Sequence, residues 1–456
     1  MINAYDITWG TGLALTAPFW LLRGTTRRKV FKALNERMAR DVGTASPTPA
    51  VLIHAVSLGE MNATRAMVSA LAQARPDLRF IITVTTETGN ARGLQLYGND
   101  PRVTLLRYPL DFSSAISRLL DQTHPSVVVL MELEVWPNFT LHCQKRGIPV
   151  LLVNGRLTPG SFRNYRLGGP LVRRMFRRLT AICAQEPDYA QRFIQLGAPP
   201  DRVRVTGTMK FDTAQLADQI EGADEIAHSV GLSPTNEIWI CGSTGPGEET
   251  ILIKTYRDLL PTHPSLRLVI VPRKPERFDE VATEIQAQGF PLVRRSTQIS
   301  NPKSEIPNLK SEISNSKSKS PPIILGDTMG ELRKFYSLAQ VVFVGRSLVD
   351  LGSRQHGSDM IEPAALAKPI AIGPFTGNFA EVMNRFRLAN AIREVSTPDE
   401  LRDQIDDFLK NRDSARQMGL RAQEVVRQER GATARHVDLI LKYIPVATHT
   451  PANPAR

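Results

Sequence analysis

His54-Ala55-Val56-Ser57-Leu58-Gly59-Glu60 is the stretch on which the fold turns. Residues 51–56 form an apolar run of strand length, 57–59 read as a tight turn, and 61–75 carry Met67, Val68 and Leu71 at helical spacing. A strand that turns directly into a helix is the unit of an open α/β sheet, and such sheets bind ligands outside the carboxyl ends of their strands. Glu60 falls at that place. The first turn of a helix is electropositive, which favours the ionised carboxylate that a general base must offer. A glutamate there also closes a capping box on its own helix, so local sequence leaves both roles open.

Outward from this stretch, strands and helices alternate as parallel sheets require. Strand-like runs fall at 79–85, 102–106, 126–131, 150–154, 181–184 and 203–206, and again at 238–241, 267–271, 291–293, 323–325, 341–344 and 369–372. The expected fold class is α/β, with two Rossmann-like domains facing each other across a cleft. The expected divisions are an N-terminal segment 1–40, a first domain 41–212, a linker 213–234, a second domain 235–445 and a tail 446–456. Residues 297–321 are rich in Ser, Lys and Asn, with Lys-Ser-Glu-Ile at 303 and again at 310. They carry too little apolar surface to fold and read as a disordered surface insertion.

A chain of 456 residues exceeds one ordinary core, and a net charge of +12 points to an anionic partner. The three cysteines, Cys143, Cys183 and Cys241, have no CxxC spacing and cannot all pair, which fits a reducing compartment. There is no HExxH and no histidine cluster, so no metal site is expected. Residues 7–22 are mostly apolar, with Trp9, Phe19 and Trp20, and are followed by Arg23, Arg27, Arg28, Lys29, Lys32, Arg37 and Arg40. The run contains Pro18 and is short of the ~20 residues a bilayer span needs. Its charge order is the reverse of a signal peptide. It predicts a membrane-associating helix with the remainder cytoplasmic, the alternative being a helix packed on the protein's own body.

Several later segments carry chemistry. Met131-Glu132-Leu133-Glu134-Val135-Trp136-Pro137-Asn138 ends an apolar run with two carboxylates, on one face if the strand continues. They face a ligand or pair with arginines such as Arg156 or Arg163. Gly242-Ser243-Thr244-Gly245-Pro246-Gly247 and Gly373-Pro374-Phe375-Thr376-Gly377-Asn378 are glycine-bearing turns whose N–H groups suit a phosphate. Arg273, at another strand end, adds a cation for a phosphate or carboxylate, or is merely solvated. Glu362 begins a short helix where it suits the hydroxyls of a ribose, or caps that helix. Arg156, Arg173, Arg174, Arg177 and Arg178 suit lipid phosphates or acidic headgroups, or form a solvated face.

Together these segments resemble the Kdo transferases of lipopolysaccharide synthesis, which move 3-deoxy-D-manno-octulosonic acid (Kdo) from CMP-Kdo onto lipid A precursors. The resemblance runs to about Tyr443. It rests on 54–60, 131–138, Thr206-Gly207-Thr208-Met209-Lys210-Phe211-Asp212, 272–278, Gly326-Asp327-Thr328-Met329-Gly330-Glu331-Leu332 and Glu362-Pro363-Ala364, all in the family's order. It implies a GT-B fold, an inverting, metal-independent reaction with no cofactor besides the donor, and attachment to the cytoplasmic face of the bacterial inner membrane. Glu60 is then the base, with Ser57, Gly59, Glu134 and Lys210 on the substrate. Ser243, Thr244, Arg273, Gly330, Glu331, Ser347, Glu362 and Asn378 are then on CMP-Kdo. The expected partners are CMP-Kdo, a lipid A precursor and an anionic lipid surface. The chain departs from the family pattern on the donor side, with Gly345-Arg346-Ser347 in place of Gly-Gly-Ser and Gly245-Pro246 where His-Glu is common. The alternatives are a GT-B enzyme with another nucleotide sugar or acceptor, and a non-catalytic basic protein binding membranes or nucleic acid. Nucleic acid is not expected, because no RNA-type stacking motif is visible and acids stand at the strand ends.

Overall fold

The structure is a computed structural model describing residues 3–21, 37–39, 48–217, 220–300, 320–352 and 355–445. The chain divides into two compact units, residues 1–213 with 430–456, and residues 214–429. Each is built on one seven-stranded sheet. Every ladder in both is parallel.

In the first unit β1 (Ala50–His54), β2 (Arg79–Val84), β3 (Val103–Arg107), β4 (Val127–Met131), β5 (Val150–Gly155), β6 (Ala181–Ala184) and β7 (Val203–Val205) lie in the order β3-β2-β1-β4-β5-β6-β7. β1, β4 and β6 are buried at every residue. That is why they read as unbroken apolar runs: a parallel sheet is covered by helices on both faces. Successive residues still alternate between two cores. Leu52, Leu130 and Leu152 pack with Phe139 and Phe176. Val51, Ile53, Val129 and Met131 pack with Met67, Val68 and Leu71 of helix Leu58–Ala74.

Helix Ala432–Leu441 belongs to this unit, although the second domain was expected to run to residue 445. Val437 and Ile440 join the core of helix Leu58–Ala74. Asp212 caps the helix, accepting from Gly431 N (2.6 Å) and Thr433 N (2.5 Å). His436 Nε2 lies 2.9 Å from Thr206 Oγ1, and burial pushes the imidazole down to about 4, so it packs there uncharged. None of these long-range bonds is visible in local sequence.

Helix Ala4–Leu21 is tied down by its first turn: Asp6 accepts from Ser113 N (2.9 Å), Asn138 Nδ2 (2.8 Å) and Asn3 N (2.9 Å). Beyond that turn Ile7 and Leu15 are 62% and 77% exposed. No helix among the described residues is long and apolar enough to cross a membrane. Of the basic residues that follow, Arg23, Arg27, Arg28, Lys29, Lys32 and Arg40 lie outside the described residues.

In the second unit β8 (Glu237–Thr244), β9 (Leu266–Pro272), β10 (Leu292–Arg294), β11 (Ile323–Leu325), β12 (Val341–Val344), β13 (Ile370–Ile372) and β14 (Arg393–Glu394) lie in the order β10-β11-β9-β8-β12-β13-β14. β14 was not predicted; it is two exposed residues with no apolar signal. The stretch read as a linker contributes helix Ala223–Ser229 to this unit. Helix Arg295–Ser300 occupies the start of the expected insertion. Residues 301–319 and the tail 446–456 lie outside the described residues. In each sheet the winding reverses beside the first strand, between β1 and β4 and between β8 and β12, and such reversals are where open sheets take ligands.

Candidate active site

At the reversal of the first sheet, β1 and β4 lie side by side and each ends in an acidic loop. Ser57 caps helix Leu58–Ala74: its Oγ accepts from Glu60 N (3.3 Å) and donates to Glu60 Oε1 (2.8 Å), while Val56 N donates to Oε2 (2.9 Å). This is a variant of the capping box, in which the carboxylate reaches Val56 N and the Ser57 hydroxyl in place of the N-cap N–H. It does not preclude a chemical role. Burial pushes the Glu60 carboxyl up to about 7, the Glu132 carboxylate adds to the rise, and the bonds from Val56 and Ser57 reverse only part of it. The helix terminus was expected to keep Glu60 acidic; desolvation and like charge outweigh it.

β4 ends at Met131, and Glu132 turns into the left-handed region with φ 55°. The two acids therefore do not continue a strand on one face, as their spacing predicted. Both nonetheless act on the Glu60 carboxyl. A non-glycine residue held at such a φ costs about 1–3 kcal/mol, and such strain clusters at functional sites. Glu134 Oε2 accepts from Trp136 Nε1 (3.1 Å) and lies 3.7 Å from His54 Nε2. Burial raises the Glu134 carboxyl, but His54 and Trp136 outweigh it and hold it below the ordinary range. One carboxyl is pushed up and its neighbour down, the pattern that separates a proton acceptor from a permanently charged partner.

Gly59 is exposed on the same turn, and a side chain there would meet only Ser57 Oγ, at 3.8 Å. Packing does not demand a glycine. Lys210 is half-buried in the short turn Met209–Thr213 after β7. Arg173, Arg174 and Arg177 are exposed on helix Gly169–Arg177, while Arg178 donates to Pro137 O (3.3 Å) and Arg156 N to Glu132 O (3.3 Å). Sequence reasoning quoted His54 and Trp136 without a role and passed over Tyr108, which stacks on His54 at 3.8 Å between ring centroids.

In the second sheet the turns after β8 and β12 meet at the reversal. Four of the N–H groups there are already engaged: the buried Glu248 accepts from Gly245 N (2.8 Å), Arg346 N (2.6 Å), Ser347 N (2.8 Å) and Leu348 N (2.9 Å). The Ser347 hydroxyl is fully buried, donating to Val344 O (2.6 Å) and accepting from Gly373 N (2.8 Å). Thr244 Oγ1 donates to the buried Glu249 (2.7 Å). Two of the residues expected on the donor, Ser347 and Thr244, are thus turned inward to build the turn. Ser243 is buried with a left-handed φ of 56°. Glu331 is held by two 3.0 Å bonds from Arg295. Gly330 is exposed, and Asn378 N donates to His356 O (3.3 Å).

Arg273 and Glu362 come together as expected. Burial pushes the Glu362 carboxyl up to about 7 and Asp359 adds to it, while Arg333 and Arg273 pull it back, so both guanidinium groups stand near enough to act on its charge. Beneath them Tyr336 is fully buried with an unpartnered hydroxyl. A Cβ on Gly242 would sit 2.1 Å from that hydroxyl, so β8 passes the ring only as glycine. Arg333, Asp359 and Tyr336 carried no sequence signal. Among the described residues no three His, Cys, Asp or Glu side chains group to hold a metal ion.

A glycosyltransferase from Rickettsia africae shares this fold over 87% of the chain and 99% of its own, with a TM-score of 0.54 at 13% identity. Two parallel-sheet α/β units of this kind define the GT-B class. Residues 32–213 match the family described as 3-Deoxy-D-manno-octulosonic-acid transferase (kdotransferase). The 3-deoxy-D-manno-octulosonic acid transferase of Haemophilus influenzae is 33% identical over 410 residues, 88% of this chain and 89% of that protein. Its counterpart from Bordetella pertussis is 32% identical over 349 residues, 74% and 75% of the two chains. The chain belongs to the 3-deoxy-D-manno-octulosonic acid transferase family and is a glycosyltransferase acting in Kdo transfer.

Proposed function

We propose that the protein transfers Kdo from CMP-Kdo to a lipid A precursor of the lipid IVA type, with inversion at the anomeric carbon and without a metal or further cofactor. One observation carries the reading: a carboxyl at a sheet's reversal point, pushed up to about 7, is matched to taking a proton near neutral pH. Glu60 takes the proton of an acceptor hydroxyl, and the oxygen attacks the anomeric carbon on the face opposite the phosphate. The bond to CMP breaks as the new one forms. CMP leaves as a phosphate monoester, and Arg273 stabilises its developing charge, while Lys210 is a contact of the substrate. Glu134 positions the sugar, with Ser57 and Gly59 on the same turn. Glu362 takes the ribose hydroxyls of CMP.

Exposed Ile7, Trp9 and Leu15 support a helix lying on the cytoplasmic face of the inner membrane, with Arg173, Arg174 and Arg177 on lipid phosphates. The test is to incubate the protein with a CMP-Kdo generating system and a lipid A precursor, with and without chelator, and weigh the products. A mass increase of one or more Kdo units that survives chelation is expected. No transfer, or transfer only from UDP- or GDP-sugars, overturns the reading.

A further inference from the structure

His54 is the last residue of β1 and is completely buried. Its Nδ1 lies 3.1 Å from Thr83 O and 3.0 Å from Thr83 Oγ1, and that hydroxyl donates onward to Ile53 O (3.3 Å). A carbonyl oxygen only accepts, so Nδ1 carries a proton. Tyr108 covers the ring face, stacked at 22°. Nε2 is left without a hydrogen-bond partner among the described residues, 3.7 Å from Glu134 Oε2. A bare nitrogen lone pair facing a carboxylate in a buried site is repulsive, and a proton between them turns it into an attraction. The Trp136 N–H falls on the same Oε2, so both ring nitrogens address one oxygen. Oε1 makes no hydrogen bond among the described residues.

We infer that His54 is a positioning residue that shares a proton with Glu134, pins Oε2 and leaves Oε1 as the acceptor for a substrate hydroxyl. This rests on the reading of Glu60 as base and Glu134 as sugar contact. The charged and titratable groups facing the pair are Glu60 and Glu132 across the reversal, Tyr108 over the ring, Tyr165 beside Glu134, and Asp111, Cys143 and Arg37 around Tyr108. Without the shared proton, the Glu134 charge stands uncompensated beside Glu60 and disfavours its ionised form. The acid limb of the rate profile then moves to higher pH.

The experiment is Kdo transfer by the full chain as a function of pH, for wild type, His54→Asn and His54→Gln, with thermal unfolding as the fold control. His54→Asn should move the acid limb to higher pH, because an uncompensated like charge beside Glu60 disfavours its ionised form, and lower kcat by about tenfold. His54→Gln, which keeps an N–H near Oε2, should recover part of kcat while keeping the shifted limb. A folded His54→Asn protein with the wild-type limb overturns the inference. A second measurement holds whether or not the variants fold. Nitrogen NMR of histidine-labelled wild type should show one buried ring protonated on both nitrogens at pH 7.5, becoming singly protonated in Glu134→Gln. A His54 ring that is singly protonated in wild type also overturns it. Failure of Glu60 as base would appear separately, as turnover retained by Glu60→Gln with the NMR result unchanged.

Discussion

Glu60 and Glu248 occupy equivalent places, each in the first turn of the helix that follows the first strand of its sheet, beside the point where the winding reverses. Their surroundings are opposite. Glu248 receives four backbone N–H groups, which saturate the lone pairs of both oxygens. Glu60 receives one N–H and one hydroxyl and faces the Glu132 and Glu134 carboxyls. Burial raises both acids, yet only Glu60 keeps lone pairs to which a proton can come and go. Helix-capping position does not tell a working acid from a structural one; the number and sign of the groups around it do.

The sharpest break of this contrast is to make each glutamate an amide. Glu60→Gln keeps the capping geometry, because Gln serves equally at this position. Turnover should nevertheless fall by ~10²–10⁴-fold, the usual worth of a general base. Mass spectrometry of the lipid product decides it, and a variant retaining most of wild-type turnover removes Glu60 from the chemistry. Glu248→Gln should do the reverse. An amide has one acceptor oxygen, so about two N–H groups lose their partner or meet an NH₂ instead. The expected loss is about 2–4 kcal/mol of stability, read in denaturant unfolding of the full chain. Loss of turnover without loss of stability would make Glu248 a functional acid and erase the distinction.

The same contrast explains what was legible in the sequence. Apolar parallel strands announce themselves, so all thirteen runs, from 51–56 to 369–372, correspond to strands such as Val127–Met131, and of the fourteen strands only β14, two exposed residues, gave no sign. Glu60, Glu134, Arg273 and Glu362 could be singled out because a charge where a buried strand ends must be accounted for. Hydroxyl direction left no trace in the sequence. Ser347 and Thr244 sit in turns that suit phosphate, and both point inward. Glu248 and Glu249 look like ordinary first-turn acids, yet both are buried, Glu249 holding Arg277 through bonds of 2.7 and 3.1 Å. Beside the near partners Gly245 and Thr244, their other partners, Arg277 and residues 346–348, lie 28 to 100 positions away in the chain.

Because Glu248 takes four of the N–H groups at the second reversal, the donor half should depend strongly on side chains, and this sharpens the comparison. Glu362→Ala removes the acceptor for ribose hydroxyls and Arg273→Ala a cation. Each should weaken CMP binding by about 1.5–3 kcal/mol, the scale of a hydrogen bond to a charged group. Calorimetric titration with CMP checks this. Unchanged affinity in both variants would move the nucleotide elsewhere.

The smallest effect returns to Glu60 and concerns stability. Its carboxyl rises from 4.5 in the free side chain to about 7 in the folded protein, so the folded state holds the proton more tightly. The stabilisation this provides is fully present below about pH 4.5 and is lost as pH rises through about 7. Glu60→Gln is neutral throughout and should not lose it. Relative to wild type, the variant should therefore gain stability between pH 5 and pH 8 and level off above that. Water that reaches this half-buried carboxyl screens part of the difference. The step expected is about 1–2 kcal/mol, a rise of roughly 2–8 °C in the unfolding midpoint. Glu248→Gln should instead lie below wild type at both pH values, because its amide leaves N–H groups without an acceptor whatever the pH. Midpoints of the three proteins at pH 5 and pH 8 decide the point. A Glu60→Gln protein whose stability relative to wild type is flat across that range would mean that Glu60 is ordinarily acidic, and the base would have to be sought at Glu132 instead.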